Sequence, residues 1–419
     1  MEVAFEPVAG YRFSLQIIML CVLIYARTSC GLRTVVEILG IFEEVLEGGC
    51  GKAPSYTSVR EWVLKLGLSV YEDDTPMSFK HADVIDESIM VNREKLLAVL
   101  GIPADHQGRP TRIEDVVVLD LKVGESFKRD DIKKELEAAD EKAGKKAEYA
   151  ISDGAHNLGG GIKDYGIPQY LDISHTLGNC MKHVYGKDEE FEELTTKLGK
   201  IRLQYHLTDK AWLLPPNMRA IARFMNLSDW VKWANNLLGC IGSLEEKYQE
   251  AYSFIKDYRP LVEELLVDIE AIRHVEEICK NQGYNKRTSA LCKSYIIRNV
   301  IGAANNRRAK LGLELYDYFK KLDEVETDAI RTANISSDII ESIFGMYKSK
   351  QSPNKLYGIT PLVLLLPLYP KIAVYSVDKK QDFKERLANV KHADLELWAK
   401  ENLSENMVAL RSKTLKDAS

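Results

Sequence analysis

The sequence lacks the features that mark several common classes of protein. Its seven cysteines are an odd number, are widely scattered and form no C-x-x-C pair. This argues against a disulfide scaffold and against a zinc site, and favours a reduced, intracellular protein whose cysteines pack as small apolar side chains. The most apolar stretches, residues 15–26 and 362–368, are shorter than the roughly 20 residues of a membrane helix. We therefore expect no membrane segment and a cytoplasmic location.

An excess of positive charge is also missing. The chain has 57 Lys and Arg against 62 Asp and Glu, for a net charge of −5, and residues 1–80 hold 7 basic and 10 acidic side chains. A nucleic-acid binder normally carries the opposite balance, so binding of this kind has to depend on local charge. The remaining composition, 45% hydrophobic and 28% charged, is that of a globular protein of two to four domains.

Helical periodicity covers the N-terminal region. It predicts helices at 14–26 and 32–47 and a third that begins near Tyr56, with Thr57 or Ser58 as its N-cap. Three short helices in this order are compatible with a helix-turn-helix, and equally with a plain helical bundle. The pattern alone leaves both open.

From about residue 82 the period becomes that of strands. We expect strands at 84–91, 96–102, 116–123, 149–152 and 169–171, and a charged helix at 128–143 after the third strand. With a second helix before the fifth strand, this is the element order of an RNase H-like domain, although other α/β domains share parts of it. Gly159-Gly160-Gly161 lacks the residues of a phosphate loop, and we interpret it as a flexible turn.

The rest of the chain is predicted to be helical. No convincing strand occurs in 176–330, and a helix starting near Ser336 or Ser337 has a buried stripe formed by Ile340, Ile343, Phe344 and Tyr347. The predicted class is mixed α/β. From the pattern alone, the helical region 176–330 is either an inserted domain or a C-terminal one.

Three acidic residues occupy positions next to apolar residues or at the end of a strand, where they are candidates for a functional role. Asp86 lies inside an apolar strand, Asp153 ends a strand before Gly154, and Glu341 is flanked by isoleucines. Each alone is more often structural, but together they are a suitable set of hard oxygen ligands for two Mg²⁺ ions. The alternatives to Asp86 are Asp83, Glu87, Asp115 and Asp120. We prefer Asp86 because strand alternation places it on one face with Val84 and Ser88.

A D-x-x-H element follows the last predicted strand. Asp172 and His175 form it, and the structural alternative is a helix N-cap followed by a hydrogen-bonded histidine. His156 is a weaker candidate.

Positive charge is concentrated in residues 281–313, which contain no acid. The cations there are Lys286, Arg287, Lys293, Arg298, Arg307, Arg308 and Lys310. Such a run favours contact with a phosphate backbone, although a solvated helix face is the usual explanation of charge runs. Arg219 and Arg223 add charge near Trp212, and tryptophans in this region either stack on an unpaired base or pack in the core.

Several of these segments match a known family. The chain resembles bacterial insertion-sequence DDE transposases that carry a D-x-x-H signature, a feature shared with the Mutator-like and hAT-like groups. The likeness spans roughly residues 55–365. The matching stretches are YTSVREWVLKLG (56–67), VIDESIMVNREKLLAVLGI (84–102), ISDGAHNLGGG (151–161), LDISHTLGNCMKH (171–183), LPPNMRAIARFMNLSDWVKW (214–233) and SSDIIESIFGMYK (336–348).

The resemblance implies an enzyme with an RNase H-like core. The implied domains are an N-terminal helical DNA-binding domain (1–78), the RNase H-like core in two parts (79–186 and 331–375), an all-α insertion (187–330) and a C-terminal helical tail (376–419). Asp86, Asp153 and Glu341 match the catalytic metal-binding triad, with two Mg²⁺ ions that Mn²⁺ may replace. Asp172 and His175 match the element beside the active site, and the helical insertion separates Asp153 from Glu341 by 188 residues. The implied reaction is cleavage of a DNA strand by water, followed by attack of a 3′-hydroxyl on target DNA.

The resemblance also implies partners. These are double-stranded DNA, as transposon ends and target, and a second copy of the chain in a homodimer or larger oligomer on DNA, in a nucleoid-associated bacterial protein. Lys348, seven residues after the Glu, matches a residue that contacts transposon ends, and the N-terminal helices, including Arg60, match the end-binding domain. The acidity of residues 1–80 moves the expected DNA contact toward 281–313. The alternatives are a catalytically silent or domesticated DNA-binding regulator, and an RNase H-like nuclease without strand transfer.

Overall fold

A computed structural model describes residues 6–45, 52–91, 94–216, 227–302, 305–325 and 330–417. The chain divides into two compact units. The sheet unit comprises residues 1–107, 111–169 and 337–419, and the helical unit comprises 108–110 and 170–336. The prediction of a mixed α/β protein is confirmed.

The sheet has five strands, and all five predicted strands are present. They are β1 (His81–Val91), β2 (Glu94–Pro103), β3 (Val117–Gly124), β4 (Ala150–Ser152) and β5 (Gln169–Leu171). Their order across the sheet is β3-β2-β1-β4-β5. The first three strands are antiparallel neighbours, and β4 runs parallel to β1. The central strand β1 therefore has an antiparallel partner on one side and a parallel partner on the other.

The helices account for most of the remaining chain. In the sheet unit these are α1 (Leu15–Arg27), α2 (Leu32–Val45), α3 (Tyr56–Tyr71), α4 (Arg129–Ala143) and α5 (His156–Tyr165). The helical unit contains α6 (Ile173–Tyr185), α7 (Glu189–Tyr205), α8 (Leu227–Cys240), α9 (Glu246–Tyr252), α10 (Arg259–Gln282), α11 (Lys286–Ile296) and α12 (Asn306–Leu322). The sheet unit resumes with α13 (Asp338–Lys350), α14 (Leu365–Ala373), α15 (Lys380–Asn389), α16 (His392–Asn402) and α17 (Met407–Asp417).

Strand alternation gives β1 two different faces. Ile85 joins a core with Leu97 and Val99 of β2, and α4 and α5 supply Ile132 and Leu158 to it. The residues of opposite parity, including Val84 and Asp86, project from the other face of the sheet.

The glycine triplet is helical, so its interpretation as a flexible turn was wrong. Gly159, Gly160 and Gly161 lie within α5, which packs against α4. A Cβ at Gly161 would stand 2.4 Å from the Cβ of Ile132 and 2.9 Å from the Arg129 carbonyl oxygen. Glycine is needed here because it lets two helices approach closely, and close packing outweighs its low helix propensity.

The N-terminal helices share a core with the end of the chain. α3 packs against α14, α15 and α16, all within the sheet unit. A Cβ at Gly67 of α3 would lie 2.3 Å from the Leu364 carbonyl oxygen, so the two backbones are nearly in contact. The N-cap of α3 is Ser55, which accepts the Ser58 N–H, rather than Thr57 or Ser58 as the sequence suggested.

The helical unit agrees with the prediction of a strand-free region. Among its described residues beyond the end of β5, extended pairing is limited to one isolated bridge between Tyr284 and Ala333. No helix in the described ranges is both long and apolar enough to cross a membrane. The predicted buried stripe of α13 is also confirmed, since Ile340, Ile343, Phe344 and Tyr347 are all buried.

A buried carboxyl on α4 makes the sheet unit sensitive to pH. The Glu135 side chain is 14% exposed and faces Asp120 of β3. Burial, reinforced by contact with Asp120, raises the pKa of Glu135 to about 8. Asp120 in turn accepts a hydrogen bond from the Tyr71 hydroxyl at 3.0 Å. The folded protein therefore holds a proton on Glu135 at neutral pH that the unfolded chain releases.

We expect Glu135→Gln to become progressively more stabilising, relative to the wild type, as pH rises from 5 to 8. The pKa of Glu135 is higher in the folded protein than in the unfolded chain. Its contribution to stability is therefore fully present below the unfolded pKa and is lost as pH rises toward 8, by at most about 1.4 kcal/mol per pH unit. Urea unfolding at several pH values measures the difference. Glu137→Gln, at an exposed position of the same helix, is the control. Parallel stability curves for wild type and Glu135→Gln would refute the assignment.

Candidate active site and nucleic-acid interface

The pairing register of β1 and β4 relates two of the predicted catalytic acids. Asp83 pairs with Ala150 and Val84 with Ile151. Asp86 lies on β1 three residues beyond Asp83, and Asp153 lies three residues beyond Ala150, one residue past the end of β4. The parallel pairing therefore brings Asp86 and Asp153 to neighbouring positions where β4 ends. Asp86 has the parity of Val84, so its side chain projects from the face of the sheet opposite to Ile85. Both residues are partly buried.

Local bonding fixes the backbone around these two acids. Asp153 Oδ1 accepts the Ala155 N–H at 2.8 Å, and Gly154 between them adopts a φ of 81°. A left-handed residue is least strained when it is glycine, so Gly154 permits the turn that carries Asp153 off the strand. Asp86 Oδ1 accepts the Glu87 N–H at 2.8 Å.

The alternative acids near Asp86 have other surroundings. Asp83 is fully buried on the opposite face of β1. Glu87 pairs with Lys95 at 2.7 Å, and Asp120 accepts the Tyr71 hydroxyl. Asp115 belongs to a 3-10 turn before β3, not to a strand, and it accepts the Arg112 N–H at 2.8 Å.

Glu341 lies in the first turn of α13, and its side chain is exposed. The opposite, apolar side of α13 is buried, and the helix packs against β1. Packing thus brings the helix that carries Glu341 to the strand that carries Asp86. Lys348 is exposed in the last turn of the same helix, two turns beyond Glu341.

The D-x-x-H element belongs to the helical unit and has the geometry of a helix cap. Asp172 is the buried N-cap of α6, and its Oδ1 accepts the His175 N–H at 2.7 Å and pairs with His175 Nδ1 at 2.9 Å. This bond favours the tautomer with the proton on Nδ1 and the lone pair on Nε2. In the sheet unit, the weaker candidate His156 has its Nε2 at 2.8 Å from Arg129.

The cation-rich segment divides into paired and solvent-facing side chains. Arg307 forms ion pairs with Asp188, Glu190 and Glu264 at 3.0–3.1 Å. Arg308 pairs with the buried Asp268 at 2.8 Å. Lys293 pairs with Asp323. The acids that balance these cations come from α7, from α10 and from the end of α12, outside the acid-free segment.

The other cations of the segment are exposed. They are Lys286, Arg287, Arg298 and Lys310. Lys286 and Arg287 occupy the first turn of α11, behind the N-cap Asn285, and line a cleft with Tyr170 and Tyr284. Two cations at a helix N-terminus are repelled by the positive end of the helix dipole. An anion bound there would be attracted by the cations and by the dipole.

The aromatic candidates are distributed between surface and core. Trp212 is 66% exposed and contacts Tyr248 edge-on at 5.6 Å, while Trp230 is buried. Trp233 donates its indole N–H to the Leu213 carbonyl at 3.2 Å. Arg60 is exposed on α3. Arg219 and Arg223 lie outside the described residues.

One group of chemically competent side chains was missed by the sequence reasoning. His81, Asp83 and Asp140 bring one ligand atom each within 4.8 Å of the others, and among the described residues this is the group of three that does so. The available signal was the H-A-D spacing at the start of an apolar strand, with a second acid on the next helix. The group could hold a metal ion. Asp86, Asp153 and Glu341 do not meet this criterion, and ligands of a two-ion centre are spread more widely because the ions are about 3.5–4 Å apart.

We expect Arg307→Met to lower the free energy of unfolding by about 1–3 kcal/mol, because it leaves three acids without their cation. Arg298→Met, at an exposed cation of the same segment, should stay within about 0.5 kcal/mol of the wild type. Urea unfolding of both variants at low ionic strength measures the contrast. Equal stabilities would mean that the Arg307 ion pairs contribute nothing to the fold.

Comparison with known proteins adds no identification to this geometry. No protein-family model matches the chain, and no curated protein matches it. The functional argument therefore depends on the strand register, the position of α13 and the arrangement of charge described above.

Proposed function

We propose that the protein is a DDE transposase that cleaves phosphodiester bonds at transposon ends and joins the freed strand to target DNA. The proposal places catalysis on Asp86, Asp153 and Glu341 of the sheet unit. The observation that carries it is the β1–β4 register, which places Asp86 of β1 beside the end of β4, where Asp153 follows directly.

The arrangement of the sheet supports an RNase H-like core. That fold has three antiparallel strands followed by shorter strands alternating with helices, and the order here is β3-β2-β1-β4-β5 with β4 parallel to β1. α4 lies between β3 and β4 in the chain, and α5 between β4 and β5. A helix after a long insertion then packs on β1 and supplies the third acid.

The chemistry of the donors fits Mg²⁺. Three carboxylates provide hard oxygen ligands, and their negative charge would be offset by two divalent ions. Asp86, Asp153 and Glu341 would hold these ions, which supply Lewis-acid stabilisation of the charge that develops on a phosphodiester. The Ala155 N–H donates a hydrogen bond to Asp153 Oδ1 and so fixes the orientation of the carboxylate.

The helical unit contributes a cap and a cationic surface. The Asp172 carboxylate orients the His175 ring, and the resemblance implies a role for this pair in the reaction. The exposed cations of α11 and the cleft beside Tyr170 and Tyr284 suit a phosphate backbone. Arg307 and Arg308 have a structural role in this proposal because acids of the same unit engage them.

The catalytic prediction concerns DNA that flanks the protein's own gene. With Mg²⁺, the wild type should produce nicks with 3′-hydroxyl ends, and Asp86→Asn, Asp153→Asn and Glu341→Gln should each lower the rate at least about 10²-fold. Gel analysis of end-labelled DNA measures the nicks. Asp130→Asn and Glu137→Gln, which change exposed acids of α4, are matched controls and should retain full activity.

Three outcomes distinguish the alternatives. Joined products from a supercoiled target support transposition, and nicking without joining indicates a nuclease. Binding without any cleavage, in Mg²⁺ or Mn²⁺, would overturn the catalytic proposal in favour of a DNA-binding regulator.

DNA affinity should depend on the first turn of α11. The double variant Lys286→Ala/Arg287→Ala should weaken binding to a short duplex about tenfold or more, and should lower the slope of log affinity against log salt by about 1–2. Fluorescence anisotropy at several salt concentrations measures both quantities. The double variant Lys200→Ala/Lys256→Ala removes two exposed cations elsewhere in the helical unit and serves as control. An equal effect of both double variants would place the DNA elsewhere.

A further inference from the structure

A second polar group lies inside the sheet unit, away from the proposed catalytic acids. His81 and Asp83 stand at the start of β1, and Asp140 lies near the end of α4. The side chains of His81 and Asp83 are fully buried, and that of Asp140 is 10% exposed. The surrounding core includes Ala139, Ala143 and Ala147, so the group is enclosed by apolar side chains.

The hydrogen bonds of this group are incomplete. Asp140 accepts the Ala147 N–H at 2.9 Å on Oδ1 and the Tyr165 hydroxyl on Oδ2. Among the described residues, however, neither ring nitrogen of His81 and neither carboxylate oxygen of Asp83 has a hydrogen-bond partner. An unsatisfied buried polar group costs about 1–3 kcal/mol, and four such atoms in one place need an explanation.

The distances are those of ligands around an ion. His81 Nε2 lies 3.5 Å from Asp83 Oδ1 and 3.5 Å from Asp140 Oδ1. Both separations are too long for good hydrogen bonds. Two atoms that each lie about 2.1 Å from a tetrahedral ion are about 3.4 Å apart, which matches both.

The charge of the group points the same way. Two carboxylates and a neutral imidazole would place a charge of −2 in an apolar interior, which is strongly unfavourable. Without a cation the protein has to protonate the group, and burial together with the neighbouring Asp140 raises the pKa of Asp83 well above its usual range. A divalent ion would neutralise both carboxylates.

We propose that His81, Asp83 and Asp140 bind one divalent transition-metal ion, of which Zn²⁺ is the representative, as a structural clamp between β1 and α4. His81 Nε2 and one oxygen each of Asp83 and Asp140 provide three donor atoms within 4.8 Å of one another, which leaves the fourth position of a tetrahedral ion for a small ligand. An imidazole ligand favours a borderline transition metal over Mg²⁺ or Ca²⁺. Tyr165 and the Ala147 N–H hold the Asp140 carboxylate in place, as outer partners of metal ligands commonly do.

This site is separate from the proposed catalytic acids. Asp83 and Asp86 have opposite parity on β1, so their side chains leave opposite faces of the sheet. His81 and Asp86 are five residues apart along the strand, a distance of about 16 Å. The inference does not depend on the proposed DNA chemistry, and either proposal can fail without the other.

The test uses the full chain stripped with a chelator and then titrated with Zn²⁺. We expect uptake of one tight equivalent per chain, measured by elemental analysis after gel filtration. We also expect a rise in Tm on the order of 10 °C at saturating metal. Co²⁺ in the same site should give the visible absorption of a tetrahedral ion, which reports on geometry without any variant.

Variants assign the ligands. Asp83→Asn and His81→Gln should lose the tight equivalent and the metal-dependent rise in Tm. Asp164→Asn and His206→Gln, at exposed positions, should keep both. If either ligand variant does not fold, loss of the Co²⁺ absorption on adding stoichiometric Zn²⁺ to the wild type still tests for a single tight site.

Two results would overturn the proposal. One is a wild-type chain that takes up no tight equivalent and whose Tm is unaffected by chelator or Zn²⁺, which would mean that the group is stable without a metal ion. The other is tight binding that persists in both Asp83→Asn and His81→Gln, which would place the metal elsewhere.

Discussion

The alternation of side chains along β1 is the constraint on which the sheet unit depends. This strand is central, paired on both edges, and it carries ionisable residues on both faces. A charge in such a position has to be neutralised on its own side, because a residue cannot change face without shifting the register of the whole strand. The layer of α4 and α5 therefore has to satisfy Asp83 and Glu87, while the other layer has to accommodate Asp86.

Each layer meets this demand differently. On one face Asn157 donates to Glu87, and Lys95 pairs with it from the neighbouring strand. Further along that face, the side chains of His81 and Asp83 have no hydrogen-bond partners among the described residues. A bound metal ion would supply the missing partner, as proposed above. The helix α13 also packs against β1, with its apolar side buried and Glu341 exposed. One strand thus organises two chemically distinct environments.

Local periodicity predicted the helices and strands of this fold but not the tertiary contacts between them. The strands, α4 and the buried stripe of α13 were predictable because alternation and helical spacing are properties of neighbouring residues. The helical glycines of α5 were not, because only the approach of α4 explains them. Likewise, the charge of residues 281–313 was counted along the chain, whereas Arg307 is neutralised by acids 43 to 119 residues away. The His81 group was missed for the same reason, since α4 supplies one of its members.

The shared core of the first and last helices affects how the chain folds during synthesis. The Tyr11 hydroxyl donates to the Leu387 carbonyl, Lys350 donates to the Cys30 carbonyl, and Arg386 donates to the Ser69 carbonyl. The helices that leave the ribosome first thus wait for about 300 further residues before their apolar surface is covered, a delay of at least about 15 seconds at ordinary translation rates. Throughout that time the nascent chain presents a binding surface for chaperones. A chain released early would lack this cover, so its exposed apolar helices would make it a substrate for proteases.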